Sequence, residues 1–171
     1  MKLERVTLVL GGARSGKSVY AESLIEGAPG DPVYIATGAP GDAEMTARIK
    51  EHRARRGDRW RTVEEPLDLA GALARDALPS GVALVDCLTL WLANVMAAGS
   101  DPETETMRLV RALEEAAGPI VLVANEVGLG IVPDNALARA FRDHAGRLNQ
   151  AVAGVADRVI FVAAGLPLTL K

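Results

Sequence analysis

Gly11-Gly12-Ala13-Arg14-Ser15-Gly16-Lys17-Ser18 decides the fold. It has the form G-x-x-x-x-G-K-S, the spacing of a phosphate-binding P-loop. The apolar run Val6-Thr7-Leu8-Val9-Leu10 before it reads as a buried parallel strand, and Val19 to Ile25 after it reads as a helix. Strand, glycine loop and helix is the context the motif needs. Gly11 and Gly16 are expected to take backbone angles that other residues resist and to leave no Cβ in the way of phosphates. Successive N–H groups of the loop then surround the β-phosphate at the positive end of the helix. Lys17 reaches the β and γ oxygens as a point charge, and the Ser18 hydroxyl is placed to ligate Mg²⁺. The plain alternative is a chance glycine turn before a helix. At an average glycine usage of about 7%, the full pattern is rare enough to set that alternative aside.

Working outward, Gly27-Ala28-Pro29-Gly30-Asp31-Pro32 breaks the chain, and Val33-Tyr34-Ile35-Ala36-Thr37 reads as a second strand. A loop at Gly38 to Asp42 leads into helical spacing from Ala43 to about Arg56, with Asp42 a candidate N-cap. Met45, Ile49, His52 and Arg56 share one face of that helix. His52 is one of two histidines. Its pattern alone fits an ordinary surface histidine as well as a nucleophile or acid/base near a nucleotide. Lys50, Arg53, Arg55, Arg56, Arg59 and Arg61 make a local basic cluster, read either as a solvated face or as a second phosphate site.

Trp60 to Glu64 reads as a short strand, Leu67 to Leu78 as a helix, and Val82 to Asp86 as an apolar strand ending in an acid. A carboxylate at the end of a strand faces the metal of a P-loop, which makes Asp86 the Walker B candidate. A helix over Cys87 to Ala98, with Trp91 packed inside, is followed by a helix from Ser100-Asp101-Pro102-Glu103 to about Ala117. Ile120 to Ala124 is a further strand. It runs into Asn125-Glu126-Val127-Gly128-Leu129-Gly130-Ile131-Val132-Pro133, a loop at the strand edge where open α/β sheets bind ligands. A tight turn with no ligand is the other reading. Asp134 or Asn135 caps a long helix to Val155, on which Arg139, Arg142, Asp143 and His144 are expected to be mostly exposed, with Arg142 or Arg147 able to reach a ligand. Arg158 to Val162 is a strand and Leu166 to Leu170 an edge strand, where proline is tolerated. The alternation gives an α/β fold: a three-layer P-loop NTPase domain of RecA-like type with a mostly parallel sheet, one domain over residues 1–171.

Composition narrows the function. The net charge is −3, which argues against general nucleic-acid binding. The aromatic fraction of 4% leaves the core to Val, Leu, Ile and Ala. Cys87 is the single cysteine, so no intrachain disulfide forms, in keeping with a reducing cytoplasm. The first strand begins near the N-terminus, and we expect no signal peptide. No stretch reaches the roughly 20 apolar residues that cross a bilayer.

The chain resembles the bifunctional adenosylcobinamide kinase / adenosylcobinamide-phosphate guanylyltransferase family of cobalamin biosynthesis. Beside the P-loop, the resemblance rests on Tyr34-Ile35-Ala36-Thr37, Arg48-Ile49-Lys50-Glu51-His52, Trp60-Arg61-Thr62-Val63-Glu64 and the Asn125 to Pro133 loop. It implies two reactions: phosphorylation of adenosylcobinamide by ATP or GTP, then transfer of GMP from GTP to adenosylcobinamide phosphate. The second passes through a GMP–histidine intermediate that maps onto His52. By the same resemblance Ala36, Thr37, Gly38, Arg53, Ala54, Arg55, Arg56, Glu64 and Asp86 line the nucleotide site, and the protein is a homotrimer. Family members often carry serine where this chain has Gly38. Two other readings compete: a P-loop small-molecule kinase without guanylyl transfer, and a RecA-like nucleotide switch whose Lys50–Arg61 segment contacts a partner or nucleic acid.

Overall fold

A computed structural model describes residues 3–28, 30–38, 57 and 59–171. The helix expected over Ala43 to Arg56, with His52, Arg53, Ala54, Arg55 and Arg56, lies outside them. Seven strands form one sheet: β1 (Val6–Gly11), β2 (Val33–Ala36), β3 (Arg61–Glu64), β4 (Ala83–Asp86), β5 (Ile120–Asn125), β6 (Arg158–Ala163) and β7 (Leu166–Thr169). Their order is β3-β2-β4-β5-β1-β6-β7. Every pairing is parallel except β6 with β7, which is antiparallel. The described helices are α1 (Lys17–Ile25), α2 (Leu69–Asp76), α3 (Leu88–Ala97), α4 (Pro102–Glu115) and α5 (Ala136–Val155).

Strand side chains alternate between faces, and the two faces bury different partners. Leu8, Leu10, Leu122 and Val85 pack against Leu73 of α2, Trp91 of α3, Leu109 of α4 and Leu148 of α5. Val9, Leu84, Val121 and Val123 pack instead against Ala21 and Ile25 of α1. Both faces being covered explains why the central strands are continuous apolar runs. The sheet and its helices are the expected three layers, and Trp91 is packed inside at 1% exposure.

Capping residues set three of the helix starts. The side chains of Asp68, Asp101 and Asn135 accept hydrogen bonds from the N–H groups of Gly71, Thr104 and Ala138, opening α2, α4 and α5. Pro102 adds a preset first turn to α4. β7 ends the sheet with four exposed residues, Pro167 among them, as an edge strand permits. Arg139, Arg142 and His144 differ from expectation: they are half-buried, because α5 lies against α3 and α4 along its length.

Candidate nucleotide site

The strand order brings the chemistry together. β5 lies between β1, which leads into the P-loop, and β4, which ends in Asp86. At the carboxyl end of the sheet Gly11 pairs in register with Asn125, and Asp86 with Ala36. Gly11, Asn125, Asp86 and Ala36 share strand parity with Val9, Val123, Leu84 and Tyr34, so they face α1. Phosphate loop, amide and carboxylate thus stand in a row on one face at one end.

The loop is held in shape from several sides. Gly16 has φ 94°, a left-handed angle that favours glycine. Gly11 takes no left-handed angle, against expectation, but its lack of a Cβ is needed. A Cβ there would lie 2.6 Å from the Val162 carbonyl oxygen and 2.5 Å from Ser15 Oγ, so close approach and not a left-handed angle selects glycine. Arg14 carries the other positive angle of the loop, φ 56°. The N–H of Gly165, in the β6–β7 turn, donates to the Ser15 carbonyl at 2.8 Å and ties the loop to the sheet. Lys17 is buried to 9% exposure, and its Nζ donates to the Gly12 carbonyl at 3.1 Å. Ala13 and Arg14 are exposed at the crest, while Gly12, Ser15 and Ser18 are half-buried.

The start of α1 differs from the capped helices. Gly16 stands at its N-cap and supplies no side-chain hydrogen bond. The first-turn N–H groups and the positive end of the helix dipole therefore face the loop without a competing side chain, the arrangement that receives phosphate.

Thr37 is buried completely, and its hydroxyl is committed to the backbone. It donates to the Cys87 carbonyl at 2.7 Å and accepts from the Cys87 N–H at 2.8 Å. The Thr37 carbonyl accepts from Asn94 Nδ2 at 2.7 Å. Thr37 therefore locks the end of β2 to the start of α3, and what it offers a ligand is a fixed backbone. Gly38 follows it, and a Cβ there would meet Leu90 Cδ1 at 3.0 Å.

Glu64 is exposed and pairs in register with Ala36. It stands four strand steps from β1, about 19 Å along the sheet. It neighbours Ala36 rather than the phosphate loop. Arg59 and Arg61 sit at the opposite end of the sheet. Arg61 pairs in register with Val33, and its guanidinium bonds Asp76 at 2.6 Å. Arg59 donates to the carbonyls of Ala28 and Gly30. These two members of the basic cluster are structural ties at the amino end of the strands. Lys50, Arg53, Arg55 and Arg56 lie outside the described residues.

Burial and the Asp86 carboxylate push the Cys87 thiol up to about 11, which keeps it protonated beside the site. Ser18 and Asp86 offer a hydroxyl and a carboxylate oxygen, the hard donors that suit Mg²⁺ when phosphates and water complete its shell. Among the described residues no group of three or more His, Cys, Asp or Glu could hold an ion.

Two further surface features stand out, a groove that the sequence did not announce and the exposure of the strand-edge loop that it did. The first is an open apolar groove of about 580 Å³ between α3 and the start of α5, lined by Ala93, Met96, Ala97, Leu137, Ala138 and Phe141 beside Asn135. The second is the loop from Val127 to Val132, which leaves Leu129 at 83% and Ile131 at 98% exposure.

Residues 7–170 match the family model described as cobinamide kinase / cobinamide phosphate guanyltransferase. The chain is 51% identical over 167 residues to the bifunctional adenosylcobalamin biosynthesis protein CobP of Pseudomonas aeruginosa, covering 96% of each. It is 42% identical over 179 residues to the bifunctional adenosylcobalamin biosynthesis protein CobU of Salmonella typhimurium, covering 96% of this chain and 98% of that one. Among solved structures, a type III secretion system ATPase of pathogenic bacteria aligns with TM-score 0.59 at 12% identity. That alignment takes in 99% of this chain and 57% of the ATPase. The flagellar accessory protein FlaH of Methanocaldococcus jannaschii aligns with TM-score 0.56 at 12% identity, over 99% of this chain and 79% of that one. At such identities the likeness is one of fold.

Proposed function

This chain belongs to the cobinamide kinase / cobinamide phosphate guanyltransferase family, and from that premise we propose that it carries out both reactions on one sheet edge. In the first, the hydroxyl on the aminopropanol arm of adenosylcobinamide takes the γ-phosphoryl group of ATP or GTP. In the second, His52 takes GMP from GTP, and the phosphate of adenosylcobinamide phosphate then displaces the histidine to give adenosyl-GDP-cobinamide.

The observation that carries this reading is the open N-terminus of α1 beside Lys17, in line with Asn125 and Asp86. Its N–H groups and the Lys17 ammonium stabilise the β and γ oxygens as charge builds on the leaving group. Ser18 and Asp86 would hold Mg²⁺, which supplies charge neutralisation on the phosphates. An imidazole such as that of His52 has the chemistry for the second reaction: nucleophilic in its neutral form, and a good leaving group once phosphorylated. Arg53, Ala54, Arg55, Arg56, Ala36, Thr37, Gly38 and Glu64 belong to the nucleotide site in the same reading, with Thr37 acting through its backbone.

The reading includes one domain over residues 1–171 and a homotrimer in the cytoplasm. The exposed Leu129 and Ile131 of the loop and the exposed Leu166 and Leu168 of β7 support a surface that another subunit covers. Among the described residues no helix is long and apolar enough to cross a membrane.

Intact mass after incubation with GTP and Mg²⁺ tests the histidine. We expect a GMP-sized, acid-labile adduct on the wild type and none on His52→Ala. An adduct on both would move the nucleophile, and absence from both while nucleotide binds would leave the kinase alone.

A further inference from the structure

The polar atoms around the phosphate loop are not all accounted for. Asn125 Oδ1 and Ser15 Oγ are buried and make no hydrogen bond. Both flank Gly11: Ser15 Oγ lies where a Cβ on Gly11 would reach, and Asn125 is the register partner of Gly11 on β5. Thr7 Oγ1 is also buried without a partner, but it lies within β1, away from the carboxyl end. A missing partner alone therefore does not mark a functional atom, and placement does.

Asn125 has the placement. Its strand separates the P-loop strand from the Asp86 strand, one step of about 4.8 Å on each side. Its parity turns the side chain to the α1 face that Gly11 and Asp86 share. Its backbone is pinned: the N–H donates to Thr89 Oγ1 at 2.7 Å, and the carbonyl accepts from Asn149 Nδ2 at 3.4 Å. Glu126 beside it is fixed too, its N–H donating to the Gly11 carbonyl at 3.0 Å. A buried acceptor held this rigidly, with no partner of its own, is costly unless a ligand completes it.

We infer that Asn125 is a contact residue of the phosphoryl-transfer site, its Oδ1 accepting a hydrogen from an O–H group lying between the P-loop and Asp86 during the kinase step. This rests on the kinase reading above. Two groups carry that chemistry: the acceptor alcohol and a water on the metal. In the step itself the alcohol oxygen bonds to the γ-phosphorus. The bond from that phosphorus to the bridging oxygen breaks, its electron pair leaving on the diphosphate, and the hydroxyl proton passes to solvent. An amide oxygen is too weak a base to take that proton, so Asn125 orients the O–H group.

The test is Asn125→Ala in the full-length protein, with both reactions measured separately. Cobinamide with GTP reads the kinase, and supplied cobinamide phosphate with GTP reads guanylyl transfer. We expect kinase kcat to fall about 10- to 100-fold while GTP affinity stays within about threefold. If the hydrogen belongs to the acceptor alcohol, guanylyl transfer and the Mg²⁺ dependence are unchanged. If it belongs to a metal-bound water, both rates fall and the half-saturating Mg²⁺ concentration rises. An unchanged kinase rate overturns the inference. So does a parallel loss of both rates and of GTP affinity at unchanged Mg²⁺ dependence, which is the mark of a structural role. Should the alanine variant not fold, Asn125→Ser carries the same expectations. A wild type without kinase turnover would instead bring down the proposed function, and this inference with it.

Discussion

The two ends of the sheet treat polar groups in opposite ways. At the amino end, Thr7 Oγ1 apart, they are tied to the protein itself. Asp157 accepts from the Val6 N–H at 2.8 Å, Arg5 donates to the Leu113 carbonyl at 2.8 Å, and Arg61 bonds Asp76. At the carboxyl end α1 begins without a side-chain cap, and Asn125 Oδ1 and Ser15 Oγ are buried without partners. The amino end is mostly finished by folding, whereas in the proposed function the carboxyl end is completed by a ligand. Unsatisfied groups are destabilising, and a fold keeps them where binding or catalysis uses them.

Lys17→Ala is the largest way to break that comparison. It removes a charge from the carboxyl end without opening the core. Kinase turnover is expected to fall about 10²–10³-fold, with little change in the thermal unfolding midpoint. Equal losses of stability and rate would make Lys17 a structural residue.

Thr37 sharpens the comparison, because it is a polar group at the carboxyl end that folding does satisfy. Thr37→Val strips both hydrogen bonds from the Cys87 backbone in a fully buried place. We expect a loss of about 3 kcal/mol in denaturant unfolding. A variant as stable as the wild type would show that the junction between β2 and α3 does not depend on this hydroxyl.

The smallest effect concerns Cys87. Its thiol is raised from 9.0 to about 11 by burial first and the Asp86 charge second. A group raised in the folded state gives stability that is complete below its unfolded value and is lost as pH rises through the folded one. Wild-type stability should therefore decline between pH 9 and 11 more steeply than that of Cys87→Ala. Parallel declines would mean that the thiol ionises equally in both states.

Strands, helices and the phosphate loop were legible in the sequence because they rest on local patterns: apolar runs, caps and glycine spacing. Asp101 and Pro102 announced α4, and Asn135 announced α5. Strand order is not local, and it decided the rest. Only the insertion of β5 between β1 and β4 puts Asn125 beside both Gly11 and Asp86. A polar residue closing an apolar strand was the available signal for Asn125, and it gains meaning only with that order. The same limit applied to Arg59 and Arg61. Their charge suggested phosphate, but the direction of β3 carries them to the far end from the P-loop. Gly11 does not take the left-handed angle expected of it, and the carbonyl that a Cβ there would meet belongs to Val162 on another strand. His52 rests on the family's motif, and its surroundings lie outside the described residues.

The most direct test of the account follows the corrinoid product by mass. Cobinamide, GTP and Mg²⁺ are supplied to the wild type, Lys17→Ala and His52→Ala. The wild type should first add phosphate to cobinamide and then convert that product to GDP-cobinamide. His52→Ala should stop at cobinamide phosphate, and Lys17→Ala should leave cobinamide nearly untouched. Formation of GDP-cobinamide by His52→Ala, or unimpaired phosphorylation by Lys17→Ala, would contradict it.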